Sequence, residues 1–278
     1  MSWEFATIYW REMLRFVRFR MSLMVSLIQP ALWMALYGAA MSSNFARMGS
    51  SLAVPQGAAA VSYLTFMGAG VIALTTLFTS LFGGISLLFD KNWGLMRELM
   101  ASPMPRNHII LGMGLSGVTK SFIQVMVIML FGLVIGVRFF PGYSLMQTAG
   151  AVLGVLLFVG VFSLGFLFLS SAISMSMDTP EGLQAVITLL SLPLFFASNA
   201  LYPIDSSPGI VRTLAMINPL THLVNGVRYF AVGKDFYAIG VHYVYTGQEI
   251  ALSFLALAAF ALTMFLVARH VFSKAVVT

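Results

Sequence analysis

The chain contains no cysteine and very few charged residues. The absence of cysteine excludes disulfides, thiolate metal sites and cysteine nucleophiles. Only 9% of the 278 residues are charged and 59% are hydrophobic, whereas roughly 25% of the residues in a soluble protein are charged. A soluble fold could not bury this much apolar surface. The composition therefore predicts an all-α integral membrane protein.

Charges are absent from six long stretches, which cover residues 21–46, 48–89, 121–137, 139–177, 182–204 and 250–268. A helix that crosses a bilayer needs about 20 apolar residues, so each stretch holds one. We predict six transmembrane helices in a single domain, 1–278, at about 21–41, 61–89, 121–137, 145–175, 183–202 and 250–268. Pro30 in the first span predicts a kink, because proline removes a backbone hydrogen bond.

The distribution of positive charge predicts the orientation. Residues 1–20 carry four arginines and no apolar core before a cleavage site, so a signal peptide is not visible and the first span targets the chain. With six spans and a cytoplasmic N-terminus, nine Lys and Arg residues lie inside and five outside. We therefore expect both termini in the cytoplasm. The net charge of +6 is typical of this bias, and no nucleic acid partner is predicted.

The first 20 residues are predicted to form an interfacial helix. Trp3, Trp10, Leu14 and Val17 lie on one side of a helix over 3–18, and its arginines lie opposite. Such a helix suits the headgroup layer, where tryptophan is favoured and arginine attracts anionic lipid. It either anchors the chain to membrane lipids or also touches a cytoplasmic partner.

Residues 203–248 lie outside the membrane in this topology, yet they are rich in apolar residues. Three prolines punctuate the segment, and two short helices fit at 210–217 and 220–232. We predict a re-entrant extracytoplasmic helical segment that packs against the spans and acts as a gate or cap. The candidate gate residues are Tyr202, Pro203, Asn218, Pro219 and Arg228.

Motifs for chemistry are weak. Residues 112–117 match GxGxxG, but on the flank of a membrane span these glycines favour close helix packing over dinucleotide binding. The four histidines are scattered, so no catalytic, metal or cofactor site is predicted. Lys120 forms a polar stripe with Ser116 and Gln124, and it either lines a cavity or extends to the cytoplasmic headgroups.

The cytoplasmic segment 90–106 is the most informative part of the sequence. Asp90 is a plausible N-cap, Leu95 and Leu99 share one face, and Pro103 ends the helix. This pattern predicts a short amphipathic helix between two spans. It is either another interfacial helix or a helix that docks into a groove on a soluble partner.

Three motifs resemble the type-2 ABC transporter permeases, and together they cover most of the chain. In span one, the motif is Gln29-Pro30-Ala31-Leu32-Trp33 through Gly38. In the cytoplasmic segment, the matching residues are Gly94, Glu98, Leu99, Ser102, Pro103 and Arg106. After span five they are Ser198 to Ile204, Pro208, Ile217 to Thr221 and Arg228, with Ser198-Asn199 where the family usually has Ser-Gly. The span-one pattern is closer to drug-resistance and nodulation-type permeases than to polysaccharide permeases.

The resemblance implies a permease that pairs with a second copy and with two cytoplasmic ATPases, which bind the ATP and magnesium. Residues 90–104 would be the coupling helix, residues 178–181 a second ATPase contact, and spans one and five the contact between permeases. The implied partner-binding residues are Trp93, Leu95, Arg97, Glu98, Leu99, Ser102, Pro103, Arg106, Asp178 and Glu181. The permease would not be an enzyme, and it would export a drug, lipid or lipo-oligosaccharide across a bacterial or archaeal cytoplasmic membrane. A membrane scaffold or assembly factor and an intramembrane lipid-modifying enzyme are the alternatives.

Overall fold

The computed structural model describes residues 4–49, 60–102, 104–204 and 208–274. Within these residues the chain is almost entirely helical, with one small β-hairpin. The helices are α1 Glu4–Arg18, α2 Arg20–Leu32, α3 Ala39–Gly49, α4 Tyr63–Asn92, α5 Leu95–Ala101, α6 Arg106–Val134, α7 Leu145–Ser176, α8 Pro180–Phe196, α9 Gly209–Ile217, α10 Pro219–Ala231 and α11 Gly247–Lys274.

In the described residues, four helices are long and apolar enough to cross a membrane, namely α4, α6, α7 and α11. They correspond to predicted spans two, three, four and six. The fifth predicted span coincides with α8, a shorter apolar helix of 17 residues. The first predicted span coincides with α2, the π-helix Trp33–Gly38 and the start of α3. The spanning role of these two segments stays a prediction.

Pro30 perturbs the first predicted span by changing the type of helix. The chain passes from α2 into a π-helix at Trp33–Gly38 and then into α3. Proline cannot donate its backbone hydrogen bond, and the N–H of Trp33 points at both Gln29 O and Pro30 O. The wider π-turn takes up this irregularity.

α4 is the central helix of the bundle. In its most apolar 18-residue window 67% of the residues are buried, against 17% for α11. α4 packs against α6, α7, α8 and α10, and α7 packs against both α4 and α11. The buried rings of Phe66, Phe162 and Phe166 fill the space between these helices. α11 therefore lies at the periphery, where its apolar side chains can face lipid.

α1 lies along α6, and the GxGxxG match is part of their contact. A Cβ added to Gly112 would lie 2.6 Å from Phe5 O and 2.8 Å from the Cβ of Ile8. Only glycine allows the two backbones to approach this closely. The prediction that these glycines serve helix packing is confirmed for Gly112.

The predicted helix over 90–104 is shorter than expected. α4 continues through Asp90 to Asn92, and α5 covers only Leu95–Ala101 with Gly94 as its N-cap, at φ +80°. The prediction that Asp90 is an N-cap is therefore wrong. Asp90 stays in α4 because its carboxylate is bound by arginines from α1. Pro103, predicted to end the helix, lies outside the described residues.

The segment between α8 and α11 contains the two predicted short helices, α9 and α10. It also contains an unpredicted antiparallel hairpin, β1 Asp235–Ala238 and β2 Val241–Val244. Its turn residues Ile239 and Gly240 both have positive φ, as a two-residue turn of this kind requires. Val61 N–H donates to Tyr237 O at 2.8 Å, which ties the hairpin to the start of α4.

Candidate functional site

The outer face of α5 is the candidate surface for a cytoplasmic partner. Arg97 and Glu98 are exposed, and Trp93, just before α5, is exposed and stacks on Phe89 with ring centroids 5.1 Å apart. Met96 is fully buried and holds α5 against a core cluster at the ends of α4, α6, α7 and α11. α5 thus presents charged and aromatic groups outward while an apolar residue anchors it.

The two leucines of α5 are less available to a partner than the sequence suggested. Leu95 is half-buried, and Leu99 is half-buried against the same core cluster as Met96. Leu99 O accepts a hydrogen bond from Ser102 Oγ at 2.7 Å. Substituting an acidic residue for Leu99 would therefore disturb the fold of the chain as well as a partner contact. Arg106 is the first residue of α6.

The predicted second contact, residues 178–181, is bonded directly to the α4–α5 junction. Lys91 Nζ donates to Met175 O at 3.2 Å, to Met177 O at 2.8 Å and to Asp178 Oδ1 at 3.1 Å. Asn92 Nδ2 donates to Asp178 O at 3.1 Å. A lysine at carbonyls that end a helix is favourable, since the helix C-terminus carries partial negative charge. The structure therefore brings Asp178 and α5 to one surface, with Glu181 exposed in the first turn of α8.

Beneath this surface lies a buried ion cluster that the sequence did not predict. Asp90 is 0% exposed, and its two carboxylate oxygens accept from Arg11 Nη2 at 2.6 Å and from Arg15 Nη2 at 2.8 Å. Glu12, 1% exposed, lies 3.1 Å from Arg11, 3.3 Å from Arg15 and 3.1 Å from Lys120 Nζ. Three cations and two carboxylates thus join α1, α4 and α6.

Attraction between opposite charges stabilises the cluster, although its groups are partly removed from solvent. Burial raises the pKa of the Glu12 carboxyl, but Lys120, Arg15 and Arg11 lower it by more, so its pKa lies below the usual value. Burial lowers the pKa of the Arg15 guanidinium, but Asp90 and Glu12 raise it further. Both residues are therefore charged across the physiological range. Buried charges of this kind need their partners, because an unpaired one is strongly destabilising.

Lys120 forms an ion pair with Glu12 that neither sequence interpretation of this residue included. Within its polar stripe, Ser116 Oγ donates to Met113 O of the same helix at 2.8 Å, whereas Gln124 bonds to two other helices. Gln124 Nε2 donates to Ser26 Oγ at 2.8 Å, and Gln124 Oε1 accepts from the hydroxyl of Thr79. A lysine in an apolar span implies a buried partner, and Glu12 was the acidic residue in the basic α1 that could supply it.

The candidate gate is built around the non-helical residues 197–201, which follow α8 and which we call the 197–201 turn. Asn218 Nδ2 donates to Leu194 O at 2.6 Å and to Ala197 O at 2.9 Å. Tyr63 OH donates to Leu201 O at 3.2 Å. The hydroxyl of Tyr202 donates to Phe196 O. Side chains of Asn218 and Tyr202 thus satisfy carbonyls at the end of α8, and Tyr63 of α4 satisfies one in the turn itself.

Arg228 of α10 is the central donor at this turn. It is 0% exposed, and its Nη2 lies 2.7 Å from Asn199 O and 3.4 Å from Ala200 O. Its guanidinium carbon lies 3.6 Å from the centroid of the Phe66 ring, a cation–π distance. Its Nε and Nη1 have no hydrogen-bond partner in the described part of the chain. Arg228 therefore compensates its buried charge largely through carbonyls and an aromatic ring.

Close backbone packing completes this arrangement. A Cβ added to Gly70 of α4 would lie 2.2 Å from Ala200 O, so only glycine fits there. Pro219 is the first residue of α10, and Asn218 caps that helix by accepting from Leu220 N–H at 2.9 Å. The predicted gate residues Asn218 and Arg228 are therefore brought to one turn, with Tyr202 and Pro203 beside it.

The described residues contain no group of three or more His, Asp or Glu side chains that could hold a metal ion. What they define is a multi-pass helical membrane protein with several long apolar helices.

Residues 4–231 match the ABC-2 type transporter family, and the chain belongs to that family. It is 30% identical over 209 residues to a protein of Cyanophora paradoxa whose name describes a transport permease, ycf38, and the match covers 75% of this chain and 67% of that protein. It is 22% identical over 233 residues to the daunorubicin resistance ABC transporter permease protein DrrB1 of Streptomyces coeruleorubidus, covering 84% and 76%. It is 23% identical over 248 residues to nodulation protein J of Rhizobium meliloti, covering 87% and 86%. The chain is thus a transport permease with drug-resistance and nodulation relatives.

Proposed function

We propose that this chain is the membrane-spanning half of an ATP-driven exporter whose ATPase is a separate cytoplasmic subunit. The family match over most of the chain carries this proposal. ATP and magnesium bind to the partner, and the permease itself catalyses no reaction and holds no cofactor. The complex lies in a bacterial or archaeal cytoplasmic membrane, with six spans and both termini in the cytoplasm.

The ATPase docks on the surface formed by α5 and residues 178–181. Trp93, Arg97 and Glu98 are exposed there, and Glu181 adds a second exposed charge. Movement of the docked ATPase would reach α4 and α6 directly, since α5 lies between them in sequence. It would reach α7 through the bonds of Lys91, and α1 through Asp90.

Two copies of the chain pair through the faces of α2, the π-helix and α8. Four large apolar side chains at four-residue spacing along α2 and the π-helix are exposed, namely Met24, Ile28, Leu32 and Leu36. α8 exposes Leu189, Leu192 and Phe196. Trp33 packs edge-on to Phe195 with ring centroids 6.2 Å apart, so the two exposed faces are adjacent. They form one continuous apolar surface for a second copy.

The exported substrate is hydrophobic or amphipathic, of the class of drugs, lipids or lipo-oligosaccharides. The names of the daunorubicin-resistance and nodulation relatives support this class. The bundle in the described residues offers little charge within its long apolar helices, which suits a substrate that enters from lipid.

The test is ATP hydrolysis by the permease reconstituted with its ATPase in proteoliposomes. We expect candidate substrates to stimulate hydrolysis, and we expect the paired change Arg97→Glu with Glu98→Lys to abolish the stimulation. Arg269→Glu on α11, an equally exposed arginine, serves as the control and should leave it unchanged. Full stimulation by the double variant would refute the docking surface. Absence of any bound ATPase would favour a scaffold or assembly factor.

A further inference from the structure

A cavity of about 620 Å³ lies where the first turns of α7 meet the C-terminal end of α10. It is separate from both the docking surface and the 197–201 turn. Its principal lining residues are Tyr143, Gln147, Gly150, Tyr229, Phe230 and Lys234. None of the lining residues is acidic, and most are aromatic or small.

The polar groups of the cavity favour an anion. Lys234 is exposed, and its Nζ lies 5.6 Å from the centroid of the Tyr229 ring. Within the described residues Lys234 forms no ion pair. The carboxylate next to it in sequence, Asp235, is bonded instead to His242 Nε2 at 2.7 Å. The N-terminal end of α7, capped by Ser144, adds partial positive charge at the same place.

An apolar stripe leads from this cavity along α7. Met146, Gly150, Leu153 and Leu157 follow one another at helical spacing on one face, and the three large side chains are exposed. A Cβ added to Gly150 would meet nothing within 4 Å, so the groove is open there. From Met146 to Leu157 the stripe extends about 16 Å, which is about half the thickness of a bilayer core.

We propose that the cavity binds the headgroup of an anionic phospholipid from the outer leaflet, with an acyl chain lying on the α7 stripe. Lys234 pairs with the negatively charged headgroup, and the phenols of Tyr143 and Tyr229 lie at the depth of the headgroups, where tyrosine is favoured. A zwitterionic lipid also carries a phosphate, but its ammonium group would meet Lys234. The inference rests on the proposed topology, in which α7 begins outside the membrane.

Native mass spectrometry of the full chain in detergent, titrated with phosphatidylglycerol or phosphatidylcholine, tests the site. We expect the wild type to retain phosphatidylglycerol preferentially. Lys234→Gln should lower phosphatidylglycerol retention about fivefold, as expected for one lysine near an anionic surface, and leave phosphatidylcholine unchanged. Lys274→Gln, the same charge change at the last residue of α11, is the control and should have no effect. An unchanged preference in Lys234→Gln would overturn the proposal.

A second variant tests the acyl chain. Gly150→Leu should reduce retention of both lipids, because its side chain fills the groove, whereas Gly209→Leu on α9, also in open space, should not. Excess inorganic phosphate should fail to displace bound phosphatidylglycerol, and displacement would mean that a free anion and not a lipid occupies the cavity. If a cysteine introduced at Asn92 reacted with a membrane-impermeant thiol reagent, the proposed topology would be wrong whatever the lipid measurements showed. Unchanged lipid retention in Gly150→Leu would overturn the lipid site with the topology intact.

Discussion

Asp90 receives two guanidinium groups at once, one on each of its carboxylate oxygens. We expect Asp90→Asn to destabilise the protein by about 3 kcal/mol, because two half-buried arginines lose the more deeply buried of their two counter-charges. Asp178→Asn is the matched control, since the Asp178 side chain is 92% exposed and its pair with Lys91 is worth about 0–1 kcal/mol. Denaturant unfolding in detergent measures both, and equal effects would contradict the importance of the buried cluster.

Arg228 is expected to hold the 197–201 turn closed. Because the chain has no cysteine, Ser198→Cys places a single, nearly isosteric thiol in this turn, where Ser198 is fully buried. A membrane-impermeant maleimide should label this thiol poorly. Adding Arg228→Met should raise the labelling rate severalfold, because two carbonyl contacts are lost.

Two further variants make this measurement selective. Arg228→Lys retains the charge and should give intermediate labelling, since lysine lacks the planar fork of arginine. Ile210→Cys, at an exposed position of α9, should label equally with and without Arg228. If Arg228→Met left the Ser198→Cys thiol protected, Arg228 would not be the residue that holds the turn.

At the scale of elements, the side of the membrane on which α4 ends and α5 begins tests the proposed topology. Asn92, the last residue of α4, is exposed beside α5, whereas Ile210 lies on α9 at the opposite end of the proposed arrangement. In intact cells, we expect Asn92→Cys to react only with a permeant thiol reagent and Ile210→Cys to react also with an impermeant one. Labelling of residue 92 by the impermeant reagent would contradict the six-span orientation.

Elements were predictable where the signal was local. The starts of α9 and α10 follow from Pro208, which is the N-cap of α9, and from Pro219, which is the first residue of α10. The end of α4 was mispredicted because Asp90 is bound by arginines 75 and 79 residues earlier in the chain. The hairpin was missed because Ile239 has a positive φ, a conformation that isoleucine rarely adopts. The local sequence pattern thus predicted the helices. The positions of the charged side chains depend on ion pairs between residues far apart in the sequence, which a local pattern does not reveal.

At the scale of the whole molecule, the free energy of unfolding should decrease as the pH becomes acidic. The pKa of Glu12 in the folded protein is lower than its ordinary value of 4.5. Its contribution is therefore fully present above that value and is lost as the pH falls through the lowered pKa. We expect the difference in unfolding midpoint between wild type and Glu12→Gln to be large near neutral pH and to shrink on acidification below the ordinary value. A difference that did not change with pH would argue against an ionised Glu12 in the cluster.

Pairing of two copies is also a property of the whole molecule. Leu36→Trp and Leu189→Trp enlarge exposed side chains on the proposed interface, and we expect each to lower the dimer fraction measured by native mass spectrometry, because bulk there separates two closely packed surfaces. Leu255→Trp, on the exposed periphery of α11, is the control and should leave the dimer intact. A monomer with full transport activity would refute the dimeric arrangement.

The ion cluster also bears on the order in which the protein is assembled. α1 is synthesised well before the residues that it binds. Asp90 lies at least 75 residues beyond its partners in α1, and Lys120 lies 108 residues beyond Glu12. While the chain is being synthesised, α1 has only its own charges, water and lipid headgroups until α4 and then α6 have entered the membrane. Docking of α1 therefore reports that both of these helices are in place, and a chain stopped before Lys120 would leave the buried Glu12 without its lysine.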